Sequence, residues 1–361
     1  WWKNIDKTLF VLIIFLFSLG LFFSLVSTSL IASDKLDTNN YFFFFKHFLY
    51  ILIGIIVLIF FSSLSKKNLF KVSFYLFFIS LFFLFLVPIL GTEVKGSKRW
   101  LNLFFLPRFQ PIEIVKPFII IFIATILCSE KNFNIYFKYL LTFIAITPAC
   151  LLLMIQPDIG QTLLVFLSWV ILVFISGISV PIILTLFSFL LLFLIYIVFF
   201  ISKFAYIKNR ILSFFSPSDG THNFQSDKAI DAINSGGYFG KGIGEGTLKN
   251  RVPEAHTDYI ISVISEEFGV VAIVLLLILF LSFIYTVFKR IYLEKSEKVK
   301  LVLTGATCLI IFQAMIHIGV NIRLFPTTGM TLPFLSYGGS SIVGVSILSG
   351  IILNLTKRKI D

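Results

Sequence analysis

The chain predicts an all-α, polytopic membrane protein with about ten transmembrane helices and one long extracytoplasmic loop. Three observations lead there. Of the 361 residues, 58% are hydrophobic and only 13% charged, too few charges to cover a soluble surface of that size. The apolar residues fall in runs that match a bilayer-spanning helix, about 20 residues each. Lysine and arginine collect in the short segments between alternate runs, as they do on the cytoplasmic side of membrane proteins.

Taken in order, the runs place spans near 8–32, 41–63, 70–90, 111–128, 138–155, 161–177, 179–201, 258–287, 299–322 and 334–355. The first is too long for a signal-peptide core and no small-residue cleavage site follows it, so it reads as a retained helix. Only "SGISV" separates the sixth from the seventh, a tight hairpin. The eighth is long enough to tilt or to project beyond the bilayer. With the N-terminus in the cytoplasm, the inner segments hold Lys3, Lys7, Lys66, Lys67, Lys71, Lys131, Lys138, Lys289, Arg290, Lys295, Lys298, Lys300 and the terminal Lys357, Arg358 and Lys359. Other cations gather outside: Lys95, Lys98, Arg99 and Arg108 in 91–110, and Lys203, Lys208, Arg210, Lys228, Lys241, Lys249 and Arg251 in the loop 202–257. The net charge of +12 thus includes an outer pool, which either meets an anionic partner or forms a solvated basic surface. Within the loop, "SDKAIDAINSGG" has the Ser start, apolar spacing and Gly-Gly end of a short amphipathic helix. No repeat or low-complexity linker divides the chain, so 1–361 reads as one domain. Cys128, Cys150 and Cys308 lie in apolar runs without CxxC spacing and read as small buried hydrophobes.

Four constellations carry chemistry. In "KRWL…RFQPIEIVKP", residues 98–117, Glu113 and Lys116 stand three apart on one helix face. They either stabilise the helix as an ion pair or, with Arg99 and Trp100 beside them, meet a lipid headgroup, because a guanidinium fork grips two phosphate oxygens at once. In "QPDIGQTLL", Asp158 follows Pro157 at a helix start, where capping accounts for it. In "PEAHTDYIISVISEEFG", Glu254 and Asp258 stand four apart with His256 between them. Asp258 either caps the eighth helix or acts as a carboxylate at the membrane edge, as general base toward a hydroxyl or as holder of a divalent cation against phosphates. Glu266 and Glu267, deeper in the span, face an interior cavity or bond neighbouring helices. His256 reads as a local hydrogen-bond donor rather than a metal ligand. In "IGVNIRLFPTTGMTLPFLSYGGSS", residues 318–341, Pro326, Gly329 and Pro333 break the ninth helix from the tenth. Irregular backbone at that depth is buried in protein or lines a watery cavity. Ser336, Tyr337 and the glycines and serines to Ser341 suit close ligand approach and tight helix packing equally. Together these residues describe a basic, carboxylate-containing outer cavity for an anion delivered by the membrane, a lipid phosphate or diphosphate.

These motifs, with "GGYFGKGIGEG", run in one order over nearly the whole chain and resemble the SEDS family of bacterial cell-wall proteins. Ala255 stands where the elongation branch of that family usually carries Arg, and "GVN" at 319–321 and "TLP" at 331–333 look like the division branch. The chain departs from the family in "QPIEIVKP", where Ile112 replaces the usual Ser and Pro117 follows the lysine. The resemblance implies a peptidoglycan glycosyltransferase that polymerises lipid II during cell division. It implies a bacterial inner membrane at the division septum, with both termini cytoplasmic and the active site facing outward. The family's essential aspartate matches Asp258, and its other sensitive positions match Arg99, Glu113, Lys116, Glu254 and His256; Ser336 joins them as a substrate-binding candidate. The implied partners are a cognate class B penicillin-binding protein, a transpeptidase, and other division proteins; nucleic acid is not expected. No cofactor is expected beyond a divalent cation, magnesium or manganese, at the diphosphate.

On this reading Asp258 takes the proton of the acceptor hydroxyl, while Arg99 and Lys116 balance the leaving diphosphate. A single displacement inverts the anomeric centre. The competing readings are an elongation polymerase, a lipid II flippase and a non-catalytic scaffold.

Overall fold

Backbone groups in hydrocarbon must bond one another, so apolar runs of this length close as helices. The structure is a computed structural model that describes residues 1–27, 41–94, 97–103, 107–130, 133–201, 204, 208–209, 211–212, 214 and 224–357. Lys95, Lys131, Lys203, Arg210, Arg358 and Lys359 lie outside the described residues, as do 28–32 of the first expected span and much of the loop before residue 224.

The helices are α1 (Lys7–Ser27), α2 (Phe42–Ser63), α3 (Lys66–Leu90), α4 (Pro111–Leu127), α5 (Ile135–Ile155), α6 (Ile159–Ile175), α7 (Val180–Phe200), α8 (Phe224–Gly236), α9 (Ile260–Leu293), α10 (Glu297–Asn321) and α11 (Gly339–Leu355). α8 is the amphipathic loop helix, and each expected span coincides with one of the others. Their starts follow local chemistry. The Ser65 hydroxyl accepts from Asn68 N at 3.2 Å, Asn134 Oδ1 accepts from Tyr136 N at 3.2 Å, and Asp158 Oδ1 accepts from Gln161 N at 3.3 Å.

Among the described residues, seven helices are long and apolar enough to cross a membrane: α1, α2, α3, α5, α7, α9 and α10. α4, α6 and α11 have 17 residues each. At 1.5 Å per residue that is about 26 Å, short of a hydrocarbon core of about 30 Å. Length alone therefore does not deliver the expected ten crossings, although the chain is a multi-pass membrane protein. The three short helices are interior ones. α4 packs on α3, α5, α10 and α11, while α11 lies along α2 and α6 lies against α5 and α10.

One element departs from the helical reading. The segment after α3 forms a small antiparallel hairpin, β1 (Thr92–Val94) on β2 (Ser97–Trp100), and Leu101 bridges Phe109. α9 also departs from regularity: it breaks at Gly269, where φ is 74°.

At the end of the bundle away from this hairpin, buried Asp6 accepts from Thr8 N at 3.1 Å and from Arg290 Nε at 2.6 Å, and Arg290 Nη2 meets the same carboxylate. The pair joins the start of α1 to the last turn of α9. Arg290→Met leaves a buried carboxylate alone, and stability should fall by up to about 3 kcal/mol, the low end for a broken buried pair because Arg290 keeps some water contact. Thermal denaturation in micelles reads this, and Asp6→Asn added to Arg290→Met should restore part of the loss.

Candidate functional site

The site begins at a turn. Glu254 takes the left-handed conformation, φ 56°, and its carbonyl accepts from Thr257 N and Asp258 N, each at 3.1 Å. The turn sets Asp258 just before α9, whose N-cap position is Tyr259. Tyr259 holds that position without a side-chain cap bond. Two elements clamp the turn. From α10, Asn321 Nδ2 donates to Asp258 O at 3.0 Å while its Oδ1 accepts from Ser262 N at 3.3 Å. From the α10–α11 connection, the Ser336 hydroxyl donates to Thr257 O at 2.7 Å and accepts from Leu332 N at 2.8 Å, and Tyr337 N donates to His256 O at 3.0 Å. The His256 ring lies between Phe43 and Tyr337, with centroids at 5.0 and 5.6 Å. Gly329, at φ 71°, faces the carboxylate: a Cβ there would stand 3.5 Å from Asp258 Oδ2.

The β hairpin carries Arg99 over the α5–α6 turn. Its guanidinium donates to Pro157 O at 2.5 Å and Gln156 O at 3.4 Å and lies 3.5 Å from Asp158 Oδ2. Asp158 is buried and also accepts from Gln110 Nε2 at 3.3 Å. Burial raises its carboxyl above the ordinary range, against the opposing pull of Arg99.

Below these residues runs a polar chain. Glu113 accepts from Gln161 Nε2 at 2.8 Å and from Lys116 Nζ at 2.8 Å; Lys116 also donates to Gln313 Oε1 at 3.1 Å. Gln313 Nε2 donates to Thr331 O at 3.0 Å, and the Thr331 and Ser341 hydroxyls meet at 2.6 Å. Pro111 at the first position of α4 leaves no unsatisfied amide there, and the i, i+3 spacing brings Glu113 and Lys116 together as expected.

These parts enclose a cavity of about 750 Å³ whose wall includes Arg99, Glu113, Glu254 and Asp258 together with Lys46, Arg108 and Gln161. Three further candidates stand behind that wall. Lys116 is fully buried on Glu113 and Gln313, Ser336 is spent on backbone bonds, and His256 packs between aromatic rings. A second cavity of about 410 Å³, lined mainly by apolar side chains such as Ile53, Leu76, Ile79 and Phe83, opens between α2, α3 and α4. The two share Tyr50, Pro107, Arg108, Gly339 and Ser340.

Residues 7–360 match the family model of the FtsW–RodA–SpoVE cell cycle proteins. A protein of Caulobacter vibrioides, named probable peptidoglycan glycosyltransferase FtsW, is 31% identical over 99% of this chain and 91% of its own length. One of the same name from Nitrosomonas europaea is 32% identical, covering 98% of this chain and 92% of its own. The chain belongs to the SEDS family. Among solved structures of the family, a chain reported in work on the coordination of polymerization and crosslinking by a peptidoglycan synthase complex superposes with a TM-score of 0.79 at 26% identity, over 98% of this chain and 97% of that one. RodA of Thermus thermophilus superposes at 0.71 with 25% identity and the same coverage.

Sequence reasoning passed over two SEDS-chain residues on the cavity wall. Arg108 was visible as part of the basic segment, and Lys46 as a lone cation inside an apolar run, a placement that signals function. It also left Glu266 and Glu267 open. They are buried and accept amides of the glycine-rich loop: Leu248 N on Glu266 at 2.8 Å, and Gly244 N and Gly246 N on Glu267 at 2.5 and 3.3 Å. They anchor the segment that leads to Asp258.

The buried pair gives a measurable expectation. Lys116→Met and Glu113→Gln each strand a polar partner, so each should destabilise, whereas the double variant should lose less than the sum. A thermal double-mutant cycle in micelles should give a coupling of about 1–3 kcal/mol.

Proposed function

We propose that the chain is a peptidoglycan glycosyltransferase of cell division that polymerises lipid II, with Asp258 as its general base. The observation that carries the reading is that Asp258 and Arg99 line one cavity, which continues through Arg108 into an apolar groove. An amphiphile with a charged diphosphate between a sugar and a polyprenyl tail fits that sequence of surfaces. The tail lies in the groove, the diphosphate at Arg108, Lys46 and Arg99, and the sugars beside Asp258.

In the reaction, Asp258 accepts the proton of the acceptor sugar hydroxyl as that oxygen bonds to the anomeric carbon of the donor. The bond from that carbon to the lipid diphosphate breaks, and the diphosphate departs with the electron pair. One displacement inverts an α-linked donor to a β-linked product. The departing diphosphate needs counter-charge rather than a proton, and the cations of the wall supply it. Lys116 acts at one remove: it holds the Glu113 carboxylate against Gln161 at the cavity floor.

A divalent cation, magnesium or manganese, fits in one mode. Among the described residues no group of three or more His, Cys, Asp and Glu forms a protein cage. Asp258 and Glu254 would hold the ion jointly with substrate phosphates, the usual arrangement for magnesium. When bound it would add counter-charge at the leaving oxygen.

The Asp258 end faces away from the cytoplasm, because Lys66, Lys138, Lys289, Arg290 and Lys295 belong to the other end. Both termini are cytoplasmic, and the protein works at the septum. The superposition on a chain from a peptidoglycan synthase complex supports a crosslinking partner, a class B penicillin-binding protein, alongside other division proteins.

Reconstitution with that partner and fluorescent lipid II tests the reading. Asp258→Asn should lower polymer yield by about 10²–10⁴-fold, the usual worth of a general base, with partner binding intact. Polymer at the wild-type rate removes Asp258 from the reaction, and lipid translocation without polymer replaces the whole reading with transport. Repeating the assay with chelator reports on the cation.

A further inference from the structure

Broken helices at bilayer depth need backbone partners, because hydrocarbon offers none. The break of α9 at Gly269 is closed by the loop "GGYFGKGIGEG", residues 236–246. Val270 N donates to Gly237 O at 3.0 Å and Val271 N to Tyr238 O at 3.2 Å. In return, Lys241 N donates to Glu266 O at 2.9 Å and Gly242 N to Glu267 O at 3.1 Å. A Cβ on Gly269 would collide with the Tyr238 carbonyl, so this approach demands glycine.

The loop is therefore fixed at a definite height. The stretch Val270–Val287 carries no charge. Its 18 residues span about 27 Å at 1.5 Å per residue, and with the uncharged Phe268, Gly269 and Phe288 the stretch between Glu267 and Lys289 reaches 21 residues, about 31 Å, enough for a hydrocarbon thickness of about 30 Å. Its far end meets Lys289, Arg290 and Tyr292. Its near end, with the loop bonded to it, stands at the opposite boundary of the bilayer. What the loop presents there is apolar: Tyr238, Phe239 and Ile243 are 77%, 83% and 67% exposed, and the exposed Val270 and Val271 of α9 continue the surface. Aromatic and aliphatic side chains beside a lysine, Lys241, are the composition of interfacial anchors.

We propose that the Tyr238–Ile243 tip is a membrane-interface anchor, with Tyr238, Phe239 and Ile243 seated at the headgroup–acyl boundary of the leaflet on the Asp258 side. The segment that runs on to Asp258 thereby takes its height from the lipid surface. The inference stands apart from the chemistry in the cavity.

Spin labelling tests it. In the full chain with Cys128, Cys150 and Cys308 changed to Ala, a nitroxide is attached at Phe239→Cys, and the protein is reconstituted in phosphatidylethanolamine–phosphatidylglycerol vesicles. Oxygen should relax this label several-fold more than a nickel chelate does, at shallow depth, whereas a label at Glu245→Cys in the same loop should favour the chelate. A label at position 239 that reads like the one at 245 overturns the proposal. So does a label shielded from both reagents, because the tip is then covered by a protein partner or a second copy. Wild-type protein in the same vesicles, doped with a phospholipid bearing a diazirine near its headgroup, needs no substitution: adducts should map to 238–243. Adducts on 270–287 with none on the tip also overturn it.

Discussion

One chain of polar contacts fixes the floor of the cavity. It runs from Gln161 on α6 to Glu113 and Lys116 on α4, to Gln313 on α10, to Thr331 in the connection, and ends at Ser341 on α11. Glu113 and Lys116, the two ions in it, each have a partner on both sides, which is the condition for ions this deep in an apolar bundle. Four helices meet at this chain, so the separation of the walls above it follows from the lengths of a few side chains. An apolar core at the same place would hold the helices together but would leave their rotation and register to looser packing.

The roof is set differently, by irregular backbone. The Glu254 turn, the Gly269 break and the connection from Pro326 to Gly338 all lie where the helices have ended or parted. Each is bonded to another: Asn321 and Ser336 hold the turn, and the glycine-rich loop closes the break. Glu266 and Glu267 serve this architecture: Glu267 accepts from Gly244 N and Gly246 N, and Glu266 from Leu248 N. A carboxylate taken from water needs several donors, and consecutive amides of a glycine-rich loop provide them. The floor is thus made of side chains and the roof of irregular main chain tied down by a few of them, with Asp258 where the two face each other.

The helices were legible in the sequence because hydrocarbon permits few alternatives; their positions follow from composition alone. The approach of Glu113 to Lys116 was legible from spacing, and the cap at Asp158 from its place before Ile159. The convergence of Arg99, Glu113, Glu254 and Asp258 on one cavity was legible only as a conjecture, since it depends on helix packing between residues far apart in the chain. The hairpin that carries Arg99 was not legible, because a three- and four-residue pairing is too short for periodicity to reveal. Nor was the withdrawal of Lys116 and Ser336 from the wall: a side chain's direction on a helix depends on which neighbour surrounds it, and α4 is buried on nearly every side.

The two ends of the bundle solve the same problem in opposite ways, and the difference bears on function. Away from Asp258, helix termini are closed by side chains: Asn354 Nδ2 donates to Phe61 O, Ser62 O and Leu64 O at 2.9, 3.2 and 2.6 Å, Lys357 Nζ reaches Leu64 O at 3.2 Å, and Asp6 binds Arg290. Side-chain closure fills the space between helices. At the Asp258 end, loops join the side chains of Asp158, Asn321 and Ser336 in closing the termini, and loops leave room. A carrier of headgroups from one leaflet to the other needs polar space that opens alternately at both ends of its path. A polymerase needs it at one end only, reached sideways from the bilayer by a substrate that never leaves its leaflet. The polar cavity with an apolar groove at its flank suits that sideways approach, and it matches a substrate whose tail stays in lipid while its sugars react.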